Sequence, residues 1–311
     1  MIPFLDRLDR ANRILIVGCG GGFDVYSGVP LAIRLLARGK YVALANYSFT
    51  SFDPLTGERL SEVLWRVDTR HGSLPYFPER WLCEWLAGRD VSVPVYAFIQ
   101  PGVLPLAEAF REIVTTHAID LVVLVDGGTD SLIFGDEPGL GTVTEDAITL
   151  VAADEAAPGR VLLAALGFGI DEYHGVSHHS FLENVATLGR EGGYLGAFSL
   201  TPGSAEADAL LELIDLANAR QTTLPSIVNN SVASALRGEF GNFHATDRTG
   251  SGTLFINPLM GLYWTFDAAR VVAHMAYGKA LRSTTTRHQA RLAIEEVRYD
   301  LKLRPRQPIP L

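Results

Sequence analysis

The chain is short of cysteine and of long apolar runs. Cys19 and Cys83 are its only cysteines, too few for a disulfide scaffold or for a zinc site built from cysteines. The first ten residues lack the apolar core of a signal peptide, and no later segment supplies the roughly twenty uninterrupted apolar residues that a membrane-spanning helix needs. We therefore expect a cytoplasmic protein with no membrane partner.

Basic residues are also few. Lys and Arg number 26 against 35 Asp and Glu, which gives a formal net charge of -9. This balance disfavours nonspecific attraction to nucleic acid or to an anionic membrane surface, so we expect no nucleic-acid partner. Hydrophobic residues make up 48% of the chain, which is ordinary for a globular protein with a large core. Exposed apolar surface on such a chain could favour a homo-oligomer.

Several familiar catalytic signatures are missing. No G-x-S-x-G elbow is present, which disfavours a covalent hydrolase, and no H-E-x-x-H pattern indicates a zinc protease. The glycine-rich loop at residues 18–22 lacks the Lys-Ser/Thr pair of a P-loop. It also departs from the dinucleotide fingerprint, because Phe23 replaces the third glycine and Asn46 or Ser48 stands where an acid would hold the ribose.

The sequence does contain an alternation of short apolar runs and amphipathic stretches. The runs predict β-strands at residues 13–17, 40–45, 93–99, 119–125 and 161–166. Helices are predicted at residues 30–38, at 104–116, from a capping box at 142–145 to about 153, from a second capping pattern at 180–183 to 192, and at 205–220. This pattern is typical of an α/β protein with a Rossmann-like, open, mostly parallel sheet and helices on both faces.

We predict one domain over residues 1–311, since no linker divides the chain. Residues 53–90 are an irregular, aromatic-rich insertion in this pattern. Its tryptophans, Trp65, Trp81 and Trp85, are expected to pack in the core rather than to act in function.

The last part of the chain is less regular. Residues 251–257 and 262–266 predict two strands of an antiparallel hairpin at the sheet edge, followed by a helix over residues 267–281. The prolines near the C-terminus, including Pro310, predict an extended tail from about residue 303.

The most informative segment is residues 13–24, where an apolar run breaks into four glycines within five positions and then an acid. Glycine lets the backbone adopt positive φ and approach a ligand closely, and the free N–H groups at the start of the next helix favour phosphate or carboxylate. The loop therefore predicts a small anionic ligand, held by Gly18, Gly20, Gly21, Gly22 and Asp24. A tight turn without a ligand is the alternative.

Polar groups also follow the other predicted strands. Ligands of an open parallel sheet bind outside the carboxyl ends of its strands, so these groups should converge on one crevice. We expect Asn46, Ser48, Gly127 and Gly128 to bind the ligand, and Asp126, Asp130, Glu137, Asp171 and His174 to act in catalysis. An aspartate at a strand end could instead cap the following helix.

Six carboxylates lie between residues 126 and 146, interrupted by glycines. Asp126 and Asp130 would suit a magnesium ion bridged to a phosphorylated substrate, an acid–base pair, or hydrogen bonds to sugar hydroxyls or to a substrate amine. Glu145 and Asp146 are expected only to cap a helix.

Histidines are concentrated in residues 171–180. His174 and His178 are four residues apart, a spacing that would place two imidazoles on one face of a helix, but Gly175 interrupts a helix there. A polar loop with solvated histidines is favoured over a zinc site. His174, His178 or His179 could instead be a general acid or base, because imidazole titrates near neutral pH.

Motifs along most of the chain resemble one family in their order. They lie at residues 17–25 (VGCGGGFDV), 125–132 (VDGGTDSL), 135–140, 144–147, 169–171, 183–186, 192–196, 237–241, 258–260 and 263–267. In these segments the chain resembles domain of unknown function family 1152, found in archaea and bacteria. It departs from the family pattern at Thr129, which is inserted before Asp130, and in the histidines around His178. The resemblance implies a Rossmann-like domain and no settled activity.

Together these features predict an enzyme that acts on a small anionic or nucleotide-like metabolite, by hydrolysis, lyase chemistry or group transfer. The glycine loop would hold the anion, and the carboxylates would supply acid–base chemistry or ligate a metal, with magnesium as the candidate. One alternative is a noncatalytic binding or sensor protein. Another is an adenosylmethionine-dependent methyltransferase, whose first motif resembles residues 16–22, although neither Ile16 nor Val17 supplies the acid expected before the first glycine.

Overall fold

The computed structural model describes residues 2–221, 224–250, 252 and 254–309. The helices are α1 (Pro3–Arg10), α2 (Asp24–Ser27), α3 (Val29–Ala37), α4 (Pro78–Ala87), α5 (Val103–Thr116), α6 (Thr144–Ala156), α7 (His178–Arg190), α8 (Ala205–Arg220), α9 (Ile227–Leu236), α10 (Ala268–His274), α11 (Gly278–Leu281) and α12 (Arg287–Tyr299). The strands are β1 (Arg13–Gly18), β2 (Tyr41–Ser48), β3 (Glu58–Arg59), β4 (Leu64–Val67), β5 (Val95–Ile99), β6 (Leu121–Gly127), β7 (Val161–Leu166), β8 (Tyr194–Ser199), β9 (Gly241–Asn242), β10 (Phe255–Ile256) and β11 (Leu262–Asp267).

Most strands form one nine-stranded sheet in the order β3-β4-β5-β2-β1-β6-β7-β11-β8. The central strands β5, β2, β1, β6 and β7 pair in parallel. The chain runs outward from β1 to β2 and β5, and then returns to β6 on the other side of β1. The connections therefore diverge between β1 and β6, which is where open α/β sheets bind ligands. The predicted Rossmann-like, mostly parallel α/β fold is confirmed.

The central strands are buried on both faces, as a parallel sheet covered by helices requires. In β1, Ile14 and Ile16 belong to one hydrophobic core, and the alternate residues Leu15 and Val17 belong to a second. Because successive side chains of a strand point to opposite faces, the two cores lie on opposite sides of the sheet. This double burial holds the carboxyl ends of the strands in fixed positions.

Strand β2 continues to Ser48, beyond its predicted end at residue 45. Asn46 and Ser48 therefore lie inside a buried strand and not in the turn that follows it. Their polar groups are partly satisfied within the fold, since Asn46 Nδ2 donates to Glu79 Oε1 at 2.7 Å and Ser48 Oγ accepts from Thr50 N at 3.1 Å. Asn46 Oδ1 is buried and has no hydrogen-bond partner among the described residues. The strand can thus carry polar residues without ending.

Both predicted capping boxes are wrong. Helix α6 has Val143 at its N-cap, which carries no polar side-chain atom and makes no side-chain cap bond. Thr142 lies outside the helix, and its hydroxyl donates to Asp130 Oδ2 at 2.8 Å. Helix α7 begins at His178, before the predicted Ser180. Its cap is Ser177, whose Oγ accepts from Ser180 N at 3.4 Å.

The C-terminal strands are arranged differently from the predicted hairpin. An antiparallel pair does lie near the C-terminus, but it consists of β9 and β10 and is separate from the main sheet. Strand β11 instead inserts between β7 and β8, antiparallel to both. Ser251, where the first of the two strands was predicted to begin, lies outside the described residues, and the predicted helix over 267–281 is divided into α10 and α11.

The aromatic-rich insertion is more regular than predicted, since it contains β3, β4 and α4. Strand β4 pairs with β5 and extends the main sheet. Trp65, Trp81 and Trp85 are buried, which agrees with the packing role predicted for them.

The tail predicted to be extended from about residue 303 is described as far as residue 309. Residues 302–309 adopt no regular secondary structure, and Pro310 lies outside the described residues. Arg304 fixes the tail to the body of the protein, because its guanidinium donates to Asp136, Glu137, Glu183 and Asn184.

Candidate functional site

A cavity of about 660 Å³ lies at the carboxyl ends of β1 and β6, where the connections of the sheet diverge. Three neighbouring strands each lead to an acid in its wall, with Asp24 after β1, Asp126 at the end of β6 and Asp171 after β7. The start of α6 and residues before and in α9 complete the wall. The charged residues of the cavity are Asp24, Asp126, Asp130, Glu145, Asp146, Asp171, His174, Arg248 and Arg287.

The glycine loop between β1 and α2 folds around a carboxylate of its own. Gly20 N donates to Asp24 Oδ2 at 2.7 Å, and Gly22 N donates to Tyr47 O at 3.2 Å. Gly21 has a φ of 94°, which favours glycine. Within the described residues, the N–H groups of Gly21 and Phe23 donate no hydrogen bond. The loop therefore uses part of the donor capacity predicted for a ligand to hold Asp24.

Three carboxylates converge beside this loop. Asp24, Asp126 and Asp146 each offer one oxygen atom, and these atoms all lie within 4.8 Å of one another. Gly20 permits the convergence, because a Cβ atom at this position would lie 2.7 Å from both Asp24 Oδ2 and Asp146 Oδ2. Asp126 Oδ2 is held by Ser131, which donates from N at 3.2 Å and from Oγ at 2.5 Å.

Burial and mutual repulsion disfavour the charged forms of these acids. Burial, and then the neighbouring carboxylates, raise the pKa of Asp24, Asp126 and Asp146 well above the ordinary aspartate range. The hydrogen bond from Gly20 lowers the pKa of Asp24, and that from Ser131 lowers the pKa of Asp126, but neither effect offsets the desolvation. The cavity therefore favours either protons or a cation next to these oxygens.

Asp130, Asp171 and His174 form a second polar group in the same cavity. Asp130 Oδ2 accepts from Thr142 N at 2.7 Å, while Asp171 Oδ2 accepts from Thr129 N at 2.5 Å. Burial and the charge of Asp171 raise the pKa of Asp130 to about 7. His174 Nδ1 lies 3.9 Å from Asp171 Oδ1, and this carboxylate raises the pKa of His174.

Two arginines bring positive charge to the cavity. The Arg287 guanidinium bonds to the buried Glu145 carboxylate and lies 5.8 Å from the centre of the Phe49 ring. Arg248 Nη1 donates to the carbonyl of Pro225 at 2.8 Å. Among the described residues Arg248 forms no ion pair with a carboxylate, so its charge is available to an anionic ligand.

Most of the residues predicted for the site do lie together. Those that line the cavity are Gly20, Gly21, Gly22, Asp24, Asp126, Gly127, Asp130, Asp171 and His174. Gly18 and Gly128 lie just behind the wall, in β1 and beside Asp171. Asn46 and Ser48 are buried in β2 and do not line the cavity. The three oxygens at ligand spacing come from Asp24, Asp126 and Asp146, so Asp126 is in that group and Asp130 is outside it.

Glu137, also predicted to act in catalysis, does not line the cavity. Its side chain is fully buried and accepts hydrogen bonds from Phe134 N, Gly135 N and Asn184 Nδ2. Arg304 Nη2 lies 2.8 Å from its Oε1. These contacts give Glu137 the environment of a structural residue that fixes the loop before α6.

Asp146, Glu145, Arg248 and Arg287 are the residues of the site that sequence reasoning missed. Glu145 and Asp146 were expected only to cap a helix, yet α6 has no side-chain cap and both residues line the cavity. The one available signal was that α6 has no continuous polar face. In the structure the residues from Glu145 to Ala153 are buried, including the acids Glu145 and Asp146. No local pattern pointed to the arginines, since Arg287 lies 142 residues from Glu145.

The histidines do not form the zinc pair considered from their spacing. His174 ends a 3-10 turn, Ile170–His174, and Gly175 separates it from α7. His174 lines the acidic cavity, whereas His178 lines a different one and lies 2.9 Å from Glu172 Oε2. Within the described part of the chain, the group of residues spaced to hold a metal contains no histidine.

Comparison with known protein families assigns the chain to one of them. The family model described as protein of unknown function (DUF1152) matches residues 15–300, so the chain belongs to that family. No curated protein matches the chain.

Among the described residues, the helices are all too short or too polar to cross a membrane.

Proposed function

We propose that the cavity is the active site of an enzyme that acts on a small anionic or nucleotide-like metabolite. One observation carries the proposal: acids from the ends of three neighbouring strands and two arginines line the same cavity of about 660 Å³. A cavity of this size accommodates a ligand of metabolite size. Titratable groups with shifted pKa values in a cleft are characteristic of functional sites.

The anion would bind on the side of the cavity that carries Arg248 and the glycine loop. A guanidinium without a carboxylate partner is well suited to a phosphate or carboxylate group, with which it forms charge-assisted hydrogen bonds. The N–H groups of Gly21 and Phe23 would add two donors. The Phe49 ring, 38% exposed beside this loop, offers a surface on which a base or sugar could stack.

Asp130 is the candidate for proton transfer. With a pKa near 7, its carboxyl group is present in both protonation states at neutral pH, as a general acid or base requires. His174 and Asp171 lie in the same wall, with His174 Nδ1 3.9 Å from Asp171 Oδ1.

The experiment is a turnover screen of nucleotides, sugar phosphates and small carboxylic acids, with Mg²⁺ and adenosylmethionine as separate additions and products followed by mass spectrometry. We expect turnover of a compound that carries a phosphate or carboxylate. Asp130→Asn should then lower kcat by at least about a hundredfold, the usual contribution of a general acid or base. Arg248→Ala should raise KM more than it lowers kcat.

The control variant is Arg237→Ala, which removes an exposed guanidinium bonded to Asp215 at 2.7 Å and outside the cavity. It should leave both constants unchanged. Tight binding of an anion without any product would contradict the proposal and identify a binding or sensor protein. Methyl transfer from adenosylmethionine would contradict it in favour of a methyltransferase.

A further inference from the structure

The convergence of Asp24, Asp126 and Asp146 has a second, independent feature. Asp146 Oδ1 is buried and has no hydrogen-bond partner among the described residues, although the side chain lines the cavity. The residue as a whole is 1% exposed. A buried carboxylate oxygen without a partner is costly, because its desolvation is not repaid by any protein group. The fold keeps this oxygen in place, and a cation in the cavity would satisfy it.

The carboxylates are held in a way that leaves room for that ligand. Gly20 N fixes Asp24 Oδ2, and Ser131 fixes Asp126 Oδ2. The two anchors lie in the segments that follow the buried strands β1 and β6. The three acids belong to three different elements, α2, β6 and α6, so their approach is set by the packing of the fold and not by the flexibility of one loop.

The chemistry of the donors favours a hard cation. The group contains only carboxylate oxygens, the preferred ligands of Mg²⁺ and Mn²⁺. The nearest thiol, Cys19, donates from Sγ to the Asp146 carbonyl at 3.6 Å.

We propose that Asp24, Asp126 and Asp146 bind one Mg²⁺ or Mn²⁺ ion, with open coordination positions toward the cavity. The ion neutralises the acids that the fold brings together. It also explains how an anion could enter a cavity with six carboxylates, since a phosphate or carboxylate of the ligand would complete the coordination of the ion. This last step rests on the proposed function, whereas the ion site itself does not.

The experiment is titration of the full chain with MnCl₂, with bound Mn²⁺ measured by electron paramagnetic resonance and by calorimetry. We expect one Mn²⁺ per chain, displaced by excess Mg²⁺. Asp146→Asn keeps the shape of the side chain and removes its charge, so it should weaken Mn²⁺ binding by at least about tenfold. Asp126→Asn should do the same.

Asp208→Asn is the matched control, because Asp208 is an exposed aspartate of α8 outside the cavity, and it should bind Mn²⁺ like the unchanged chain. The proposal is overturned if the unchanged, folded chain binds no Mn²⁺ at millimolar concentration, a result that needs no variant to fold. It is also overturned if folded Asp146→Asn binds Mn²⁺ as tightly as the control. Mn²⁺ binding without turnover of any compound would support the ion site and count only against the proposed enzymatic function. Turnover without Mn²⁺ binding would support the enzymatic function and overturn the ion site.

Discussion

Replacing Arg304 with alanine should destabilise the protein far more than replacing its neighbour Arg306. The Arg304 guanidinium docks the tail by donating to Asp136 Oδ1, Glu137 Oε1 and Asn184 Oδ1 at 2.8–3.0 Å, and to Glu183 Oε2 at 2.6 Å. The Glu137 side chain is 0% exposed. Its carboxylate therefore depends on this guanidinium for a cationic partner.

The size of the effect follows from the burial of Glu137. Removing one partner of a buried ion pair costs about 3–5 kcal/mol, because the remaining charge stays desolvated. Glu137 would keep hydrogen bonds from Phe134 N, Gly135 N and Asn184 Nδ2, which places the expected loss at the lower end, about 3 kcal/mol. Arg306 pairs with Glu172 at 2.9 Å, and both side chains are 49% exposed, so Arg306→Ala should cost no more than about 1 kcal/mol.

Urea unfolding followed by tryptophan fluorescence and by circular dichroism measures both losses. The reasoning is refuted if Arg304→Ala and Arg306→Ala lower the free energy of unfolding equally, or if Arg304→Ala costs less than about 1 kcal/mol. Either result would mean that the tail contact does not stabilise Glu137, and the structural role assigned to this acid would be lost with it.

Two further changes test the site and its surroundings. Gly20→Ala places a Cβ atom 2.7 Å from Asp24 Oδ2 and Asp146 Oδ2, so we expect Mn²⁺ binding measured by calorimetry to weaken by at least about tenfold. The control is Gly189→Ala in α7, where a Cβ atom meets nothing within 4 Å, and it should bind Mn²⁺ normally and gain about 0.5–1 kcal/mol of stability. Equal Mn²⁺ affinity in the two variants would contradict the account. Burial raises the pKa of Glu79 above its ordinary value of 4.5, so ionisation costs the folded state stability as pH rises through the interval between the unfolded and the folded pKa. Thermal melts from pH 4.5 upward should therefore show Glu79→Gln gaining stability relative to the unchanged chain as pH rises, and a difference independent of pH would show this reasoning to be wrong.

The central strands and the acids that follow them could be predicted because both depend on local pattern. Apolar runs such as residues 121–125 are long enough to specify a buried strand. Asp126 stands directly beyond this run, and Asp24 follows the run of β1 after the glycine loop. Parallel strands deliver their carboxyl ends to one edge of the sheet, so the convergence of these two acids with Asp171 followed from the fold class alone.

Other parts depend on contacts between distant segments and had no local signal. Asp146 lies in the first turn of α6, where an acid is ordinarily expected to cap the helix. It lines the cavity because α6 packs against β6 and bonds to the glycine loop through Thr149 and Cys19. Strand β11 is antiparallel between β7 and β8, which a β-α alternation does not predict. Glu137 lies among the candidate acids in the sequence, but in the structure it pairs with Arg304, 167 residues further along the chain, and does not line the cavity.

The most direct test of the metal site is an anomalous difference map from a crystal grown with MnCl₂. The account predicts one strong peak at about 2 Å from a carboxylate oxygen of each of Asp24, Asp126 and Asp146. It is contradicted if that position carries no peak while the three side chains remain in place, or if the ion lies beside Asp130 and Asp171 instead.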